Sequence, residues 1–302
     1  MINRNTGYGP GVTLAGVSIE FDRVLFRSIP DSYIPRCKRH AGFKVDAHEV
    51  SKFPPIFFDK KRNLGGNLWC AKKEDIEYYH FMDRNGDTGP VAFSYDTIKD
   101  IYTLYVLRRS RYYYPFSQNF FQHPLFNGFY DIAFYSAVLS NYQGFLMHAA
   151  GFYKNKKEGI LVCGHSGDGK STLAIKLYET GYKIISDDCV AIRQSPKGFY
   201  MYPTPWIWKK NVPSSNIEGV YLSSIYFLTK CRRKNTHIRD ISMKEFFLKW
   251  HEYVKFFSFF KEKTALLADL SLGIAKQAER FQLSYVLKDG INHNTIRLIP
   301  VQ

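Results

Sequence analysis

The sequence predicts an α/β protein of two domains, a smaller strand-rich one followed by one built around a phosphate loop. Three observations predict it. At 302 residues the chain exceeds the size at which a single hydrophobic core keeps growing. Its 22 tyrosines and 25 phenylalanines favour strands and aromatic cores. The stretch GILVCGHSGDGKSTLAIKLYETGYKIISDDCVAI, from Gly159 to Ile192, runs apolar strand, glycine-rich loop, helix and strand in turn. We place the domains at 1–118 and 119–302.

In the first domain VSIEFDRVLF (17–26) and DIYTLYVL (100–107) read as strands. Asn85-Gly86 sits between two aromatic-rich runs and predicts a tight hairpin turn. The surrounding DRNGD lacks the spacing and closing glutamate of a calcium loop, so it too is read as a turn. RRSRYYYPFSQ (108–118) mixes charge, tyrosine and proline and marks the boundary. Beyond it, 127–142 carries helical spacing, and GFLMHAAGFY (144–153) and GILVCG (159–164) are strands joined by the charged turn KNKKE. A helix runs from Gly169-Lys170 to about Thr180 and closes at Gly181. Short strands follow at 182–186 and 190–193, then GFYMYPTPWIWKK (198–210) leads a strand into a proline loop. A strand at 223–229, helices at about 242–260 and 262–281, and a strand at 285–290 complete the reading. The stripe Phe246, Phe247, Trp250, Val254, Phe257 is expected to pack against the sheet.

The net charge of +15 attracts phosphates, nucleic acid, anionic lipid or acidic peptide without choosing among them. The five cysteines (Cys37, Cys70, Cys163, Cys189, Cys231) are scattered, odd in number and free of any CxxC pair. That argues against a disulfide framework and a structural zinc site, and Cys163 and Cys189 read as small buried residues. The start MINRNTGYGPGVTLAG has no apolar signal-peptide core. No window approaches the roughly 18–20 apolar residues of a membrane span. A cytoplasmic protein without a membrane partner is expected.

Gly164-His165-Ser166-Gly167-Asp168-Gly169-Lys170-Ser171 satisfies G-x-x-x-x-G-K-[ST] in full. Such glycines let backbone N–H groups turn inward as a nest for phosphate oxygens, and the following helix adds its positive end. Gly164, Ser166, Gly167, Asp168, Gly169, Lys170, Ser171 and Thr172 are the candidate nucleotide-binding residues, with Lys170 reaching the phosphates and Ser171 holding Mg²⁺. His165 is expected to lend its backbone amide. Asp187-Asp188 follows seventeen residues after Lys170, at the tip of a strand. Two adjacent carboxylates repel each other, and a cation relieves the repulsion. In phosphoryl transfer one can bind Mg²⁺ while the other takes the proton of the attacking hydroxyl.

His148, the loop 164–171 and the pair 187–188 together resemble the kinase domain of bacterial HPr kinase/phosphorylase. The resemblance implies a fold akin to phosphoenolpyruvate carboxykinases, with ATP and Mg²⁺ as cofactors. It implies Asp187 as the base, Asp188 as a Mg²⁺ ligand with Ser171, Lys170 on the phosphates, and His148 relaying a proton near Asp187. HPr kinases assemble as hexamers, so a homo-oligomer is implied as well. The family's Arg-Gly-x-Gly segment has no counterpart in NIEGVYLSSIYFL, so phosphorylase activity is not expected, and the role of Glu218 is open. PTPWIWKKN (203–211) looks like a Pro-Trp subgroup that includes lasso-peptide precursor kinases, which phosphorylate a serine-type hydroxyl. The expected acceptor is therefore a peptide or small protein. Trp206, Trp208, Lys209 and Lys210 either line the acceptor site or cap the core and face solvent. CRRKN (231–235) reads as a solvated basic run.

Two rival readings remain. A carboxykinase-like lyase would want arginines around a carboxylate pocket. A non-catalytic nucleotide-binding regulator would bind ATP without transfer, and no nucleic-acid reading module stands out to support one.

Overall fold

The computed structural model describes residues 8–21, 36–38, 42–58, 62–63, 68–82, 88–107, 130–204, 219–231, 236–255 and 260–286. The chain divides into two compact units, Met1–Tyr135 with Phe257–Phe259 and Ser136–Phe256 with Phe260–Gln302. The expected boundary run 108–118 lies outside the described residues. Each unit carries one of two large β-sheets, and helices are few.

In the first unit the strands are β1 (Tyr8–Leu14), β2 (Val17–Phe21), β3 (Arg36–Lys38), β4 (Gly42–Val50), β5 (Arg62–Asn63), β6 (Leu68–Lys73), β7 (Ile76–Met82), β8 (Thr88–Asp96) and β9 (Ile101–Leu107). They pair in the order β3-β1-β2-β4-β9-β8-β7-β6-β5. The β2–β4 and β4–β9 pairs are parallel and the others antiparallel. Aromatic side chains do much of the packing: Tyr79 stacks on Phe93 at 4.6 Å and Tyr95 on Tyr102 at 4.4 Å between ring centroids. Asn85-Gly86 lies outside the described residues, but β7 and β8 on either side of it do pair antiparallel.

Helix α1 (Tyr130–Asn141) spans the division between the units, and the second unit holds β10 (Gly144–Tyr153), β11 (Gly159–Cys163), α2 (Lys170–Glu179), β12 (Lys183–Ser186), β13 (Cys189–Ser195), β14 (Gly198–Tyr202), β15 (Val220–Cys231), β16 (His237–Asp240), α3 (Met243–Trp250), β17 (Val254–Lys255), α4 (Lys261–Gln277) and β18 (Glu279–Val286). Along β10, the half at 144–148 pairs with β13 and the half at 149–153 with β11. The pairings β10–β13–β14–β15–β11 return to β10 and so close a ring of five strands. One apolar cluster draws on all five, through Phe145, Met147, Leu161, Ile192, Met201 and Phe227 among others, and α3 and α4 cover it with Phe246, Trp250, Leu270 and Ile274. A second cluster lies on the opposite face, where Ala150, Phe152, Ile160 and Val162 meet Leu173, Ala174 and Leu177 of α2. Successive residues on β10 and β11 thus serve opposite cores, which is why these strands read as continuous apolar runs.

Two expectations are corrected. The first late helix ends at Trp250 rather than near 260, because Val254–Lys255 leaves helical geometry to bond the edge of β10 at Leu146 and Met147. The second ends at Gln277, and the final described strand starts at Glu279 rather than 285. Phe281, Leu283 and Tyr285 of that strand all face the α2-side core, a period of two that overrides the helical reading. In the aromatic stripe Phe246 and Trp250 are buried, Phe247 and Val254 pack partly against them, and Phe257 lies outside the described residues. Cys163 and Cys189 are buried and outside any disulfide.

Candidate functional site

Strand register assembles the site. On one side of β10, Ala149 pairs with Cys163, so the glycine loop leaves β11 level with His148. On the other side His148 pairs with Cys189, so Asp187-Asp188 falls in the break between β12 and β13 at the same level. The Ala149 amide donates to the Asp188 carbonyl at 3.1 Å and holds that break against β10. His148 shares its face of β10 with Ala150 and Phe152, the face that α2 covers.

α2 buries Lys170, Leu173, Ala174 and Leu177, an i, i+3, i+4, i+7 stripe, so helical geometry itself turns Lys170 toward the sheet. Gly169 caps the helix at φ 86° and no side chain caps it. The left-handed backbone there suits glycine, and the first amides of α2 keep no side-chain acceptor. Glycine 167 likewise sits at φ 83°. The helix closes as the Tyr182 amide donates to the Leu177 carbonyl and the Gly181 amide to Tyr178, both at 3.0 Å.

The Lys170 ammonium donates to the carbonyls of Gly164 at 2.7 Å and His165 at 3.1 Å. It also lies 3.1 Å from His148 Nε2, while His148 Nδ1 lies 3.4 Å from Asp188 Oδ1. An ammonium only donates, so Nε2 accepts and the ring proton sits on Nδ1 facing Asp188. Burial and then the Lys170 charge push His148 below the ordinary histidine value, against the opposing pull of Asp188. Burial lowers Lys170 as well, with Asp188 and Asp168 opposing. Asp187 is buried, whereas Asp188 is partly exposed.

The loop is braced from within. Asp168 Oδ2 accepts from the His165 amide at 2.7 Å, and the Asp168 amide returns a bond to the His165 carbonyl. The His165 amide is thus engaged inside the loop, contrary to the expectation that it serves phosphate. The Tyr285 hydroxyl donates to the Asp168 carbonyl at 3.1 Å, tying the loop to β18. Ser166, Gly167 and Thr172 are exposed and Ser171 is half-buried.

Sequence reasoning missed β17. The His148 amide donates to the Tyr253 carbonyl at 2.7 Å. Lys255 pairs with Leu146, two residues from His148 and on the same face, and its charge lowers both His148 and Lys170. Glu252 lies 3.3 Å from His165 Nε2 across an exposed pair, which adds little energy. A two-residue strand leaves no periodic signal to read. Trp206, Trp208, Lys209, Lys210 and Glu218 lie outside the described residues.

The residues present fit a phosphate tail and a hard cation: a half-buried hydroxyl on Ser171, a partly exposed carboxylate on Asp188, a buried ammonium and uncapped helix amides. Among the described residues no group of three or more His, Cys, Asp or Glu could hold a metal alone. Mg²⁺ commonly takes one or two protein ligands and completes its shell with phosphate and water.

Strand, glycine loop and helix follow one another here as they do in phosphate-loop proteins. In sequence, 47 residues of the chain are 43% identical to the HPr kinase/phosphorylase of Geobacillus sp. (strain WCH70), covering 16% of this chain and 15% of that protein. Matches of 36 residues at 50% identity reach the HPr kinase/phosphorylases of Geobacillus thermodenitrificans and Bacillus subtilis, covering 12% of this chain and of each relative. The chain is therefore similar to HPr kinases over a short stretch, and matches only a small part of those relatives' length. No family model matches it. Among solved structures, the Hpr(Ser) kinase/phosphatase from Coxiella burnetii aligns over 48% of this chain and 87% of that one, at 14% identity and a TM-score of 0.29. No helix among the described residues is long and apolar enough to cross a membrane.

Proposed function

We propose that the second unit, as an HPr-kinase-like phosphate-loop domain, transfers the γ-phosphoryl group of ATP to a serine-type hydroxyl on a peptide or small protein. The observation that carries this reading is the line Lys170–His148–Asp188 beside the glycine loop, with Asp187 buried next to it. The short similarity to HPr kinase/phosphorylases supports it.

The acceptor hydroxyl loses its proton to Asp187 as its oxygen bonds phosphorus, and the bond to the ADP oxygen breaks in line. Lys170 leaves the two loop carbonyls for the β- and γ-phosphate oxygens and offsets their charge. His148 keeps Lys170 and Asp188 in register and supplies a proton path beside Asp187. Ser171 and Asp188 would hold Mg²⁺, which neutralises the phosphate charge when bound. Burial of Asp187 and Lys170 excludes water, so positioning and charge supply most of the rate. The Pro-Trp run at 203–211 favours a peptide acceptor of the lasso-precursor kind, and the missing Arg-Gly-x-Gly segment favours a kinase without the reverse phosphorylase activity. The chain would work in the cytoplasm as a homo-oligomer.

The test is to incubate the protein with γ-labelled ATP, Mg²⁺ and serine-containing peptides, and to map the label by mass spectrometry. Phosphoserine ester on a peptide supports the reading. ATP binding without transfer to any acceptor returns it to a nucleotide-binding regulator.

A further inference from the structure

At the end of the sheet remote from the glycine loop, a cavity of about 640 Å³ opens beside the turn that joins β10 to β11. Its size is that of a ligand site. Tyr200, Tyr202, Tyr221, Ser195, Lys156 and Lys157 line it. Strand alternation produces the tyrosine wall: Phe199 and Met201 of β14 and Val220 and Leu222 of β15 face the core, which sends Tyr200, Tyr202 and Tyr221 the other way. Tyr200 pairs with Tyr221 across the two strands, and their rings meet edge-on at 5.6 Å. Gly219, at φ 149°, leaves room for Tyr202, since a Cβ there would stand 2.6 Å from its ring. The Tyr221 amide donates to the Lys156 carbonyl at 2.9 Å, which fixes the turn and its two exposed lysines at the cavity mouth.

The described lining holds two ammonium groups and no carboxylate. Glu158 belongs to the neighbouring cavity and accepts from the Asn155 amide group at 2.6 Å. Burial raises the Tyr202 phenol, and the Arg193 charge opposes it, so a third cation is within electrostatic reach. Phenolic hydroxyls that donate, flat rings and two adjacent ammoniums suit carboxylates flanked by apolar or aromatic side chains. A nucleic-acid strand would want a longer track of cations along its phosphates, and two neighbouring lysines do not form one.

We propose that this cavity is a docking site for an acidic segment of a polypeptide partner, separate from the loop site by the length of β11, about 17 Å. The site stands whether or not the loop transfers a phosphoryl group.

A fluorescein-labelled peptide rich in glutamate and tyrosine tests it by anisotropy, with labelled oligothymidylate in a parallel arm. The exposed pair Lys156→Glu/Lys157→Glu is compared with wild type, circular dichroism and ATP-analogue binding serving as checks on the fold and the loop. The expected result is salt-sensitive peptide binding that weakens about tenfold or more in the double variant. Lys170→Ala should leave that binding unchanged. No peptide binding, equal affinity in the double variant, or oligothymidylate binding tighter than the peptide would each overturn the proposal.

Discussion

His148 presents Nε2 to the Lys170 ammonium at 3.1 Å, so the imidazole must accept there and carry its proton toward Asp188. His148→Phe keeps a ring in the space and removes both polar contacts. Lys170 retains the carbonyls of Gly164 and His165. We expect ATP affinity near that of wild type and transfer slower by about 10²-fold or more. Lys170→Ala should lose both binding and transfer. Titration calorimetry beside a transfer assay separates the two, and a His148→Phe enzyme at full rate would remove the residue from the mechanism.

Asp187→Asn conserves shape and removes the proposed base. The expected outcome is unchanged nucleotide binding with transfer reduced by about 10²–10⁴-fold, the usual contribution of a general base. Single-turnover measurement with saturating ATP and acceptor reads the chemical step directly. A wild-type rate would reassign the proton acceptor.

Trp250 is fully buried and its indole Nε1 donates to the Ser271 hydroxyl at 3.1 Å. Ser271→Ala strands that donor inside the core, a loss of about 1–3 kcal/mol. Chemical denaturation should show the loss with an unchanged slope. Equal stability would mean the indole finds another acceptor.

Glu245 accepts from Arg239 at 2.8 Å and closes a capping box with Ser242 at the start of α3. The Arg239 guanidinium, then the Ser242 amide, hold its carboxyl down at about 2, from an ordinary 4.5. A depressed folded pKa contributes stability that is complete above the unfolded value and is lost as pH falls toward the folded one. Glu245→Gln should therefore lower Tm at neutral pH, and the gap to wild type should narrow as pH drops from about 4.5 toward 2. A gap independent of pH would assign the effect to packing. The pair is exposed, so the shift is expected to be small.

The glycine loop and the acidic pair were legible because each is contiguous and each sits at a strand tip that apolar runs announce. Lys170 was legible twice, as the motif lysine and as the first residue of the buried stripe on α2. Tyr253 and Lys255 were not, because a strand of two residues owes its existence to the unfilled edge of β10. The spacing of Phe246, Trp250 and Val254 continues a helix on paper. In the fold the ladder at Leu146 and Met147 takes precedence over that spacing. The end of α4 differs for the opposite reason: the alternation of Phe281, Leu283 and Tyr285 is present in the sequence, but the helical reading extends through Phe281 and the strand reading begins only at Tyr285.

The partners of β10 have a temporal consequence. β11, β12 and β13 follow it closely, but β17 lies far downstream at Val254–Lys255. During synthesis the histidine, the glycine loop and the acidic pair all emerge from the ribosome before the segment that anchors the His148 amide. Until translation passes Lys255 the nascent chain holds His148, the glycine loop and the acidic pair without the strand that pairs with Leu146 and Met147 and the carbonyl that bonds the His148 amide.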